Sequence, residues 1–365
     1  MSEFFRIIRV EGTPLEMGRA YGRQTADLIR DFVLQAKRFY HELGYSEAEV
    51  QQIRERHEDG IGGCAPEIIQ EIRGMAEGAG VSYESMMDAC VQREMRDGLV
   101  HHDVQTNCTI CVAGATASSH GKTTIGHNWD SRAISSHNIV VTVARPKDGF
   151  RFVTIGPIGR PGCEGMNEKG LVIVMSGVVQ RGRKEFLRGN GPMYVSPEWT
   201  HHVFRDSRTV GDALSHCKNE YLNAVHGVNW VVSDSKGSAH AEIAHAAMNI
   251  AYLDTDSSDP KDLAFSTANH YASSKLSRVG PTPEEDPASY ARKRRMNELL
   301  TSNLGRIDVD LTQRFLRDHQ LPHPICRHGH GGWYTISSEV ARPADREFWI
   351  AFGPPCRNDY RPLLP

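Results

Sequence analysis

The chain lacks a long apolar run, an excess of charge of either sign, and the common glycine-rich phosphate motifs. No apolar stretch approaches the ~20 residues that a membrane-spanning helix needs, so no membrane partner is expected. Lys and Arg number 42 against 45 Asp and Glu, a net charge of −3. So balanced a chain offers no electrostatic footprint for nucleic acid. The basic run Arg292-Lys293-Arg294-Arg295 shares a helical pattern with Met296, Leu299 and Leu300 and reads as a solvated helix face. The opening Met1-Ser2-Glu3-Phe4-Phe5-Arg6 has no apolar secretory core, and the ending Arg361-Pro362-Leu363-Leu364-Pro365 is no peroxisomal address. A cytoplasmic protein is the expectation. Neither G-x-G-x-x-G nor G-x-S-x-G occurs, and no Gly-Lys-Ser/Thr follows Gly331-Gly332.

Eight cysteines are scattered through 365 residues. In a long chain without a secretory signal they do not read as a disulfide framework. Cys108-x-x-Cys111 has redox or zinc spacing, but no second pair completes a tetrahedral set. Two further clusters, His101-His102-Asp103 and Cys326-Arg327-His328-Gly329-His330, invite a metal reading. Adjacent histidines point apart, and the second set shares a face only if extended. No metal and no cofactor is therefore expected.

The chain does show a change of period. Phe5 to Val10 alternates as a strand; Thr13 and Pro14 then supply an N-cap and first position for a helix running to about Leu43. Further helices are expected from Ser46, from Pro66 to Gly80 and from Ser82. From residue 108 strands take over, near 108–116, 122–129, 137–145, 150–156, 162–167, 170–178, 228–234, 238–244, 247–253, 263–267, 333–340 and 345–352. Asn167-Glu168-Lys169-Gly170 reads as a hairpin turn. Helices return at about 192–204, 209–219, 287–302 and 310–318. Such an order suggests layers of sheet covered by helices.

Cys108 opens the strand-rich half, directly after the polar stretch His101 to Asn107. Asn107-Cys108-Thr109-Ile110-Cys111, some twenty residues before Gly126-His127-Asn128-Trp129-Asp130, resembles the acyl-CoA:6-aminopenicillanic-acid acyltransferase family (isopenicillin N acyltransferase, peptidase C45). Further segments match in order and spacing: Gly12 to Gly18, Glu71 to Gly78, Gly165 to Val172, Ser266-Thr267-Ala268-Asn269-His270, and Pro324-Ile325-Cys326-Arg327.

The resemblance implies an α+β fold: the four-layer αββα sandwich of N-terminal-nucleophile (Ntn) hydrolases, with two central antiparallel sheets. It implies self-cleavage between Asn107 and Cys108. Residues 1–107 would then form an α subunit and 108–365 a catalytic β subunit, held as one intertwined domain and αβ heterodimer. Asn107 stands where the penicillin enzyme has glycine. Cys108 would be the nucleophile, and its freed α-amine, with a reference pKa of about 7.7–8.0, the general base. Asp130 would hold the amine or the nucleophile strand, Asn269 would donate to the oxyanion, and Thr109 and Arg327 would support the site or bind substrate. Trp129 and the Cys111 thiol read as core. The expected activity is hydrolysis of a small N-acyl amide through an acyl-Cys108 thioester. The alternatives are transfer of an acyl group, from CoA, a carrier protein or an amide, to a small amine, and an uncleaved, non-catalytic binding protein.

Overall fold

A computed structural model describes residues 5–99, 107–132, 139–181, 199–220, 227–253 and 263–365. The expectations placed on His101 to Thr106 and on the start of the 192–204 helix lie outside these residues.

The N-terminal strand β1 (Phe5–Gly12) is followed by five helices: α1 (Pro14–Gln24), α2 (Ala26–Glu42), α3 (Glu47–Cys64), α4 (Pro66–Ala79) and α5 (Tyr83–Leu99). Thr13 caps α1 in a reciprocal capping box with Glu16. The single long helix expected to Leu43 is in fact two. Thr25 leaves helical geometry at φ −127° and turns its hydroxyl back onto the Tyr21 carbonyl at 2.8 Å. Helices α1 and α4 approach backbone to backbone through facing glycines. A Cβ on Gly18 would stand 2.1 Å from the Glu71 carbonyl oxygen, and one on Gly74 would stand 2.3 Å from that of Leu15. This contact accounts for Gly18, Gly74 and Gly78, whereas Gly12 sits at φ +108° before α1.

The strand half contributes β2 (Asn107–Ala113), β3 (Thr124–Arg132), β4 (Ile139–Pro146), β5 (Phe152–Pro157), β6 (Glu164–Asn167) and β7 (Val172–Val178). After helices α6 (His201–Asp206) and α7 (Val210–Glu220) come β8 (Gly227–Ser233), β9 (Ser238–Ala244), β10 (Ala247–Tyr252) and β11 (Ala264–Thr267). Helices α8 (Pro287–Thr301) and α9 (Val309–Leu316) precede β12 (His328–His330), β13 (Trp333–Arg342), β14 (Glu347–Phe352) and β15 (Arg361–Pro362). The hairpin expected at Asn167–Gly170 joins β6 to β7, with Gly170 at φ +82°.

These strands form two sheets. One runs β1-β4-β5-β6-β7-β8-β9-β10, the other β11-β2-β3-β13-β14-β15 with β12 on β13. The first is not wholly antiparallel, because β1 pairs with β4 in parallel. Alternation along each strand sends side chains to opposite faces, and this sorts the apolar residues into three layers of core. One lies between α1–α7 and the outer face of the eight-stranded sheet, with Ile8, Phe152, Met175, Trp230, Ile72 and Phe204. A second fills the space between the sheets, with Cys108, Ile110, Val141, Ile155, Val174 and Ile350. The third joins the other sheet to α8 and α9, with Cys111, Val340, Met296 and Phe315. Helix, sheet, sheet and helix are therefore stacked in the four-layer αββα arrangement that the resemblance implies. No helix among the described residues is long and apolar enough to cross a membrane.

Candidate active site

Strand β2 carries Cys108 at its second position and pairs with β3, with Asn107 opposite Asp130, Cys108 opposite Trp129 and Ile110 opposite His127. Alternation then divides the surroundings of Cys108 in two. Its thiol points into the space between the sheets, whereas Asn107 and Thr109 face α8.

On the α8 side the organising group is Arg292, which is fully buried. Its guanidinium donates to the Cys108 carbonyl, to Thr109 Oγ1 at 2.8 Å, to Asn107 Oδ1 at 3.0 Å and to Asn269 Oδ1 at 2.9 Å. Asn269 Oδ1 also accepts from the Cys108 N–H at 2.8 Å. Two donors converge on this atom, which fixes it as the amide oxygen. The Asn269 Nδ2 donates across the sheets to the Gly177 carbonyl at 2.9 Å. The neighbouring Ala268 carbonyl is held by Ser176 Oγ at 2.5 Å and Asn229 Nδ2 at 2.8 Å. Asn269 thus meets Cys108 through its oxygen, and its amide nitrogen, which carries two donors, gives one of them to Gly177.

Asp130 is buried beside Arg292 and Arg327. Burial pushes its carboxyl up to about 6 despite the two guanidinium groups and a 2.6 Å hydrogen bond from Thr335 Oγ1. The Arg327 N–H donates to that same Thr335 hydroxyl at 2.9 Å, so Thr335 links Asp130 to the Ile325–Arg327 segment. Among the described residues, Asp130 Oδ2 and two nitrogens of the Arg327 guanidinium have no hydrogen-bond partner. Asn128 fastens the same segment from below: its Nδ2 donates to the carbonyls of Leu316 and Ile325 at 2.9 and 3.1 Å.

On the inter-sheet side, His127, Glu164 and Glu339 close around the thiol. His127 Nδ1 donates to Glu339 Oε2 at 2.8 Å and lies 2.7 Å from Glu164 Oε2. His127 and Glu339 come from one sheet, Glu164 from the other. Burial alone would lower the imidazole, but Glu164, the Cys108 thiol and Glu339 outweigh it and hold its pKa well above the ordinary value. Burial raises Glu164. The Cys108 thiol is raised by burial and lowered, less strongly, by His127. His127 Nε2 makes no hydrogen bond of good geometry, which leaves that nitrogen for the thiol.

The structure therefore gathers Asn107, Cys108, Thr109, Asp130 and Asn269 around one guanidinium, and brings Arg327 to Asp130 through Thr335. Trp129 is core, as is the Cys111 thiol, which burial pushes up to about 12. The solvated-face reading of Arg292 is overturned. It lies on the buried face of α8 with Ser289, Met296 and Leu300, and its position four residues before Met296 is a signal that the sequence already carries. His127, Glu164 and Glu339 were also missed. A histidine two residues before Trp129 in a strand falls on the apolar face, and that misplaced polarity is the available cue. A groove lined by Tyr271, Tyr290, Lys293 and Asn297 opens beside α8, but Cys108, 2% exposed, is not part of it.

Two stacked sheets under helices, with a buried cysteine heading an inner strand, define the class as the Ntn-hydrolase type of α+β fold. Within that class, the sequence model of the acyl-coenzyme A:6-aminopenicillanic acid acyl-transferase family matches residues 117–357. That is well over half of the chain, and the chain belongs to this family. The match includes Asp130, Asn269, Arg292 and Arg327 and begins after Cys108. Among solved structures, a mutant of conjugated bile acid hydrolase from Clostridium perfringens aligns with a TM-score of 0.43 at 11% identity, over 70% of this chain and 96% of its own. Penicillin V acylase from Agrobacterium tumefaciens aligns with a TM-score of 0.36 at 15% identity, over 68% and 75%. No curated protein matches the chain by sequence.

Proposed function

We propose that the chain is a self-processing cysteine enzyme that cuts its own Asn107–Cys108 bond and then hydrolyses small N-acyl amides through an acyl-Cys108 thioester. The grip on Cys108 carries this reading. Asn269 takes its N–H and Arg292 its carbonyl, while His127 faces its thiol.

In the first step the Cys108 thiol attacks the Asn107 carbonyl. A C–S bond forms, the C–N bond breaks, and the Cys108 nitrogen takes up a proton. Water then hydrolyses the thioester, leaving the Asn107 carboxylate, a free thiol and a free α-amine. Asn269 Oδ1, which accepts from the peptide N–H, is in place to accept from that amine. In turnover the amine acts as base for the thiol, the thiolate attacks the acyl carbonyl, and the departing amine takes the proton. Water resolves the acyl-Cys108 thioester and regenerates the thiol. Arg292 and Asp130 position the strand, and Arg327 is the cation available to a substrate carboxylate.

The family's description names transfer from acyl-CoA to an amine, and this supports a second reading in which an amine replaces water. Both share every step up to the thioester. After cleavage the fragments stay together, because β1 is a strand of the eight-stranded sheet and α1–α5 supply one side of its core.

Intact mass spectrometry of the purified protein tests the proposal. Cleavage yields pieces of 107 and 258 residues (365 minus 107), and Cys108→Ala remains whole. Incubation with a panel of N-acyl amides should add an acyl mass to the 258-residue piece. An unbroken chain indistinguishable from Cys108→Ala, with no adduct, would point instead to a binding member of the fold.

A further inference from the structure

Far along the chain from Cys108, four metal-ligating side chains converge from three separate segments. His319 follows α9, Cys326 and His328 flank Arg327 at the start of β12, and Cys356 lies in the turn after β14. Their four ligand atoms all lie within 4.8 Å of one another. Cys326 Sγ is 3.7 Å from Cys356 Sγ, too far for a disulfide, and both thiols are free. His328 Nε2 is 3.4 Å from Cys356 Sγ and 3.9 Å from Cys326 Sγ, and 2.7 Å from His319 Nε2.

We propose that His319, Cys326, His328 and Cys356 form a four-coordinate zinc site that fixes the Arg327 segment. A tetrahedral zinc ion with Zn–S near 2.3 Å and Zn–N near 2.0–2.1 Å has edges of about 3.8 Å between sulfurs, about 3.5 Å between sulfur and nitrogen, and about 3.3 Å between nitrogens. The sulfur–sulfur spacing and the two sulfur–nitrogen spacings of His328 match these edges to within a few tenths of an ångström. The nitrogen–nitrogen edge is short, and the exposed His319 ring is the ligand with room to swing outward. Two thiolates and two imidazoles are the donor set that selects zinc among the divalent ions, and four protein ligands leave no open position, which marks a structural site. Cys326 is buried and His319 exposed, so the ion enters from the His319 side. Binding balances as one zinc ion and two thiols going to two zinc-bound thiolates and two released protons.

Spacing along the sequence groups Cys326 and His328 with His330. The fold completes the set with His319 and Cys356 instead, which no local spacing reveals. Cys326 and His328 bracket Arg327, whose N–H meets the Thr335 hydroxyl that donates to Asp130. A bound ion therefore pins the backbone on both sides of the residue that faces Asp130. This inference stands whether or not the chain cleaves.

The full chain, produced with zinc in the medium, kept reduced and dialysed against metal-free buffer, should retain about one zinc per chain by elemental mass spectrometry. Replacement by cobalt should give thiolate-to-cobalt charge-transfer bands in the near ultraviolet and tetrahedral ligand-field bands in the red. C326S/C356S should lose both signals, and H319A should weaken zinc at least tenfold in a chelator competition. His319 is exposed, so H319A keeps the test readable if the cysteine variant does not fold. Less than about a tenth of an equivalent of zinc in the wild type, or undiminished zinc in either variant, would overturn the site, as would a metal-free Cys326–Cys356 disulfide.

Discussion

Replacing Arg292 by methionine tests the most connected residue of the site. Methionine preserves much of the side-chain volume but removes every donor. The Cys108 carbonyl, Thr109 Oγ1 and Asn107 Oδ1 each lose the Arg292 contact in a fully buried setting. Each such loss costs about 1–3 kcal/mol, non-additively among neighbours, and removing one member of a buried charged network costs about 3–5 kcal/mol. A net destabilisation of about 4 kcal/mol is expected. A chain of 365 residues, at about 2.1 cal/mol/K per residue, has an unfolding entropy near 0.8 kcal/mol/K, so Tm should fall by about 5 °C. Arg292→Lys keeps the charge and loses the fork, and should fall between wild type and R292M. On the proposed reading Arg292 positions the Asn107–Cys108 strand, so self-cleavage in folded R292M should slow by at least tenfold, about 1.4 kcal/mol of barrier. Scanning calorimetry gives the first quantity and timed intact-mass spectra the second. A folded R292M with unchanged Tm and unchanged cleavage rate would refute the assignment.

Two further outcomes follow from the buried titratable groups. Asp130 is raised from 3.8 to about 6 in the folded chain. Its contribution to stability is therefore fully present below the unfolded value and is lost as pH rises through about 6. Relative to wild type, Asp130→Asn should gain about 3 kcal/mol between about pH 3 and pH 7, and denaturant titrations giving a pH-independent difference would contradict this. His127→Gln removes the imidazole that favours the Cys108 thiolate and leaves Glu164 and Glu339 facing each other. Cleavage and acyl-Cys108 formation should both fall, with the pH dependence of any residual rate displaced upward; a profile identical to wild type would exclude His127 from the chemistry.

Local patterns in the sequence made most of the fold legible. The Thr13 cap, the Asn167–Gly170 turn and the strand runs of β2 to β11, β13 and β14 are local, and the structure follows them; the short β12 carries no such run. Thr25 is different: its hydroxyl competes with the backbone of α1, and an apolar stripe continuing on both sides hides the break. The site was half legible for a related reason. Cys108, Asp130, Asn269 and Arg327 sit in motifs that are contiguous in sequence. Arg292 sits in a run of four basic residues, and only the buried spacing to Met296 distinguishes it from its neighbours. Glu164, Glu339 and Cys356 reach their partners by sheet stacking and chain return, which no window of sequence contains.

On the proposed function, the arrangement around Cys108 also accounts for how the thiol would stay silent until the chain is cut. In the continuous chain the thiol is 2% exposed and its pKa is raised by burial. Its nitrogen is an amide and can serve no proton. The carbonyl adjacent to it in the chain is that of Asn107, so intramolecular attack is the reaction its position favours. On the proposed reading, cutting that bond turns the amide into a base with a reference pKa of about 7.7–8.0. Asn269 Oδ1 needs no rearrangement between the two states, because it accepts from the same nitrogen in both. Arg292 likewise keeps its hold on the Cys108 carbonyl downstream of the cut and loses only Asn107. On the proposed reading, the contacts that position the peptide for self-cleavage are thus the ones that position the amine for turnover, and their value to catalysis lies in having been fixed before the cut is made.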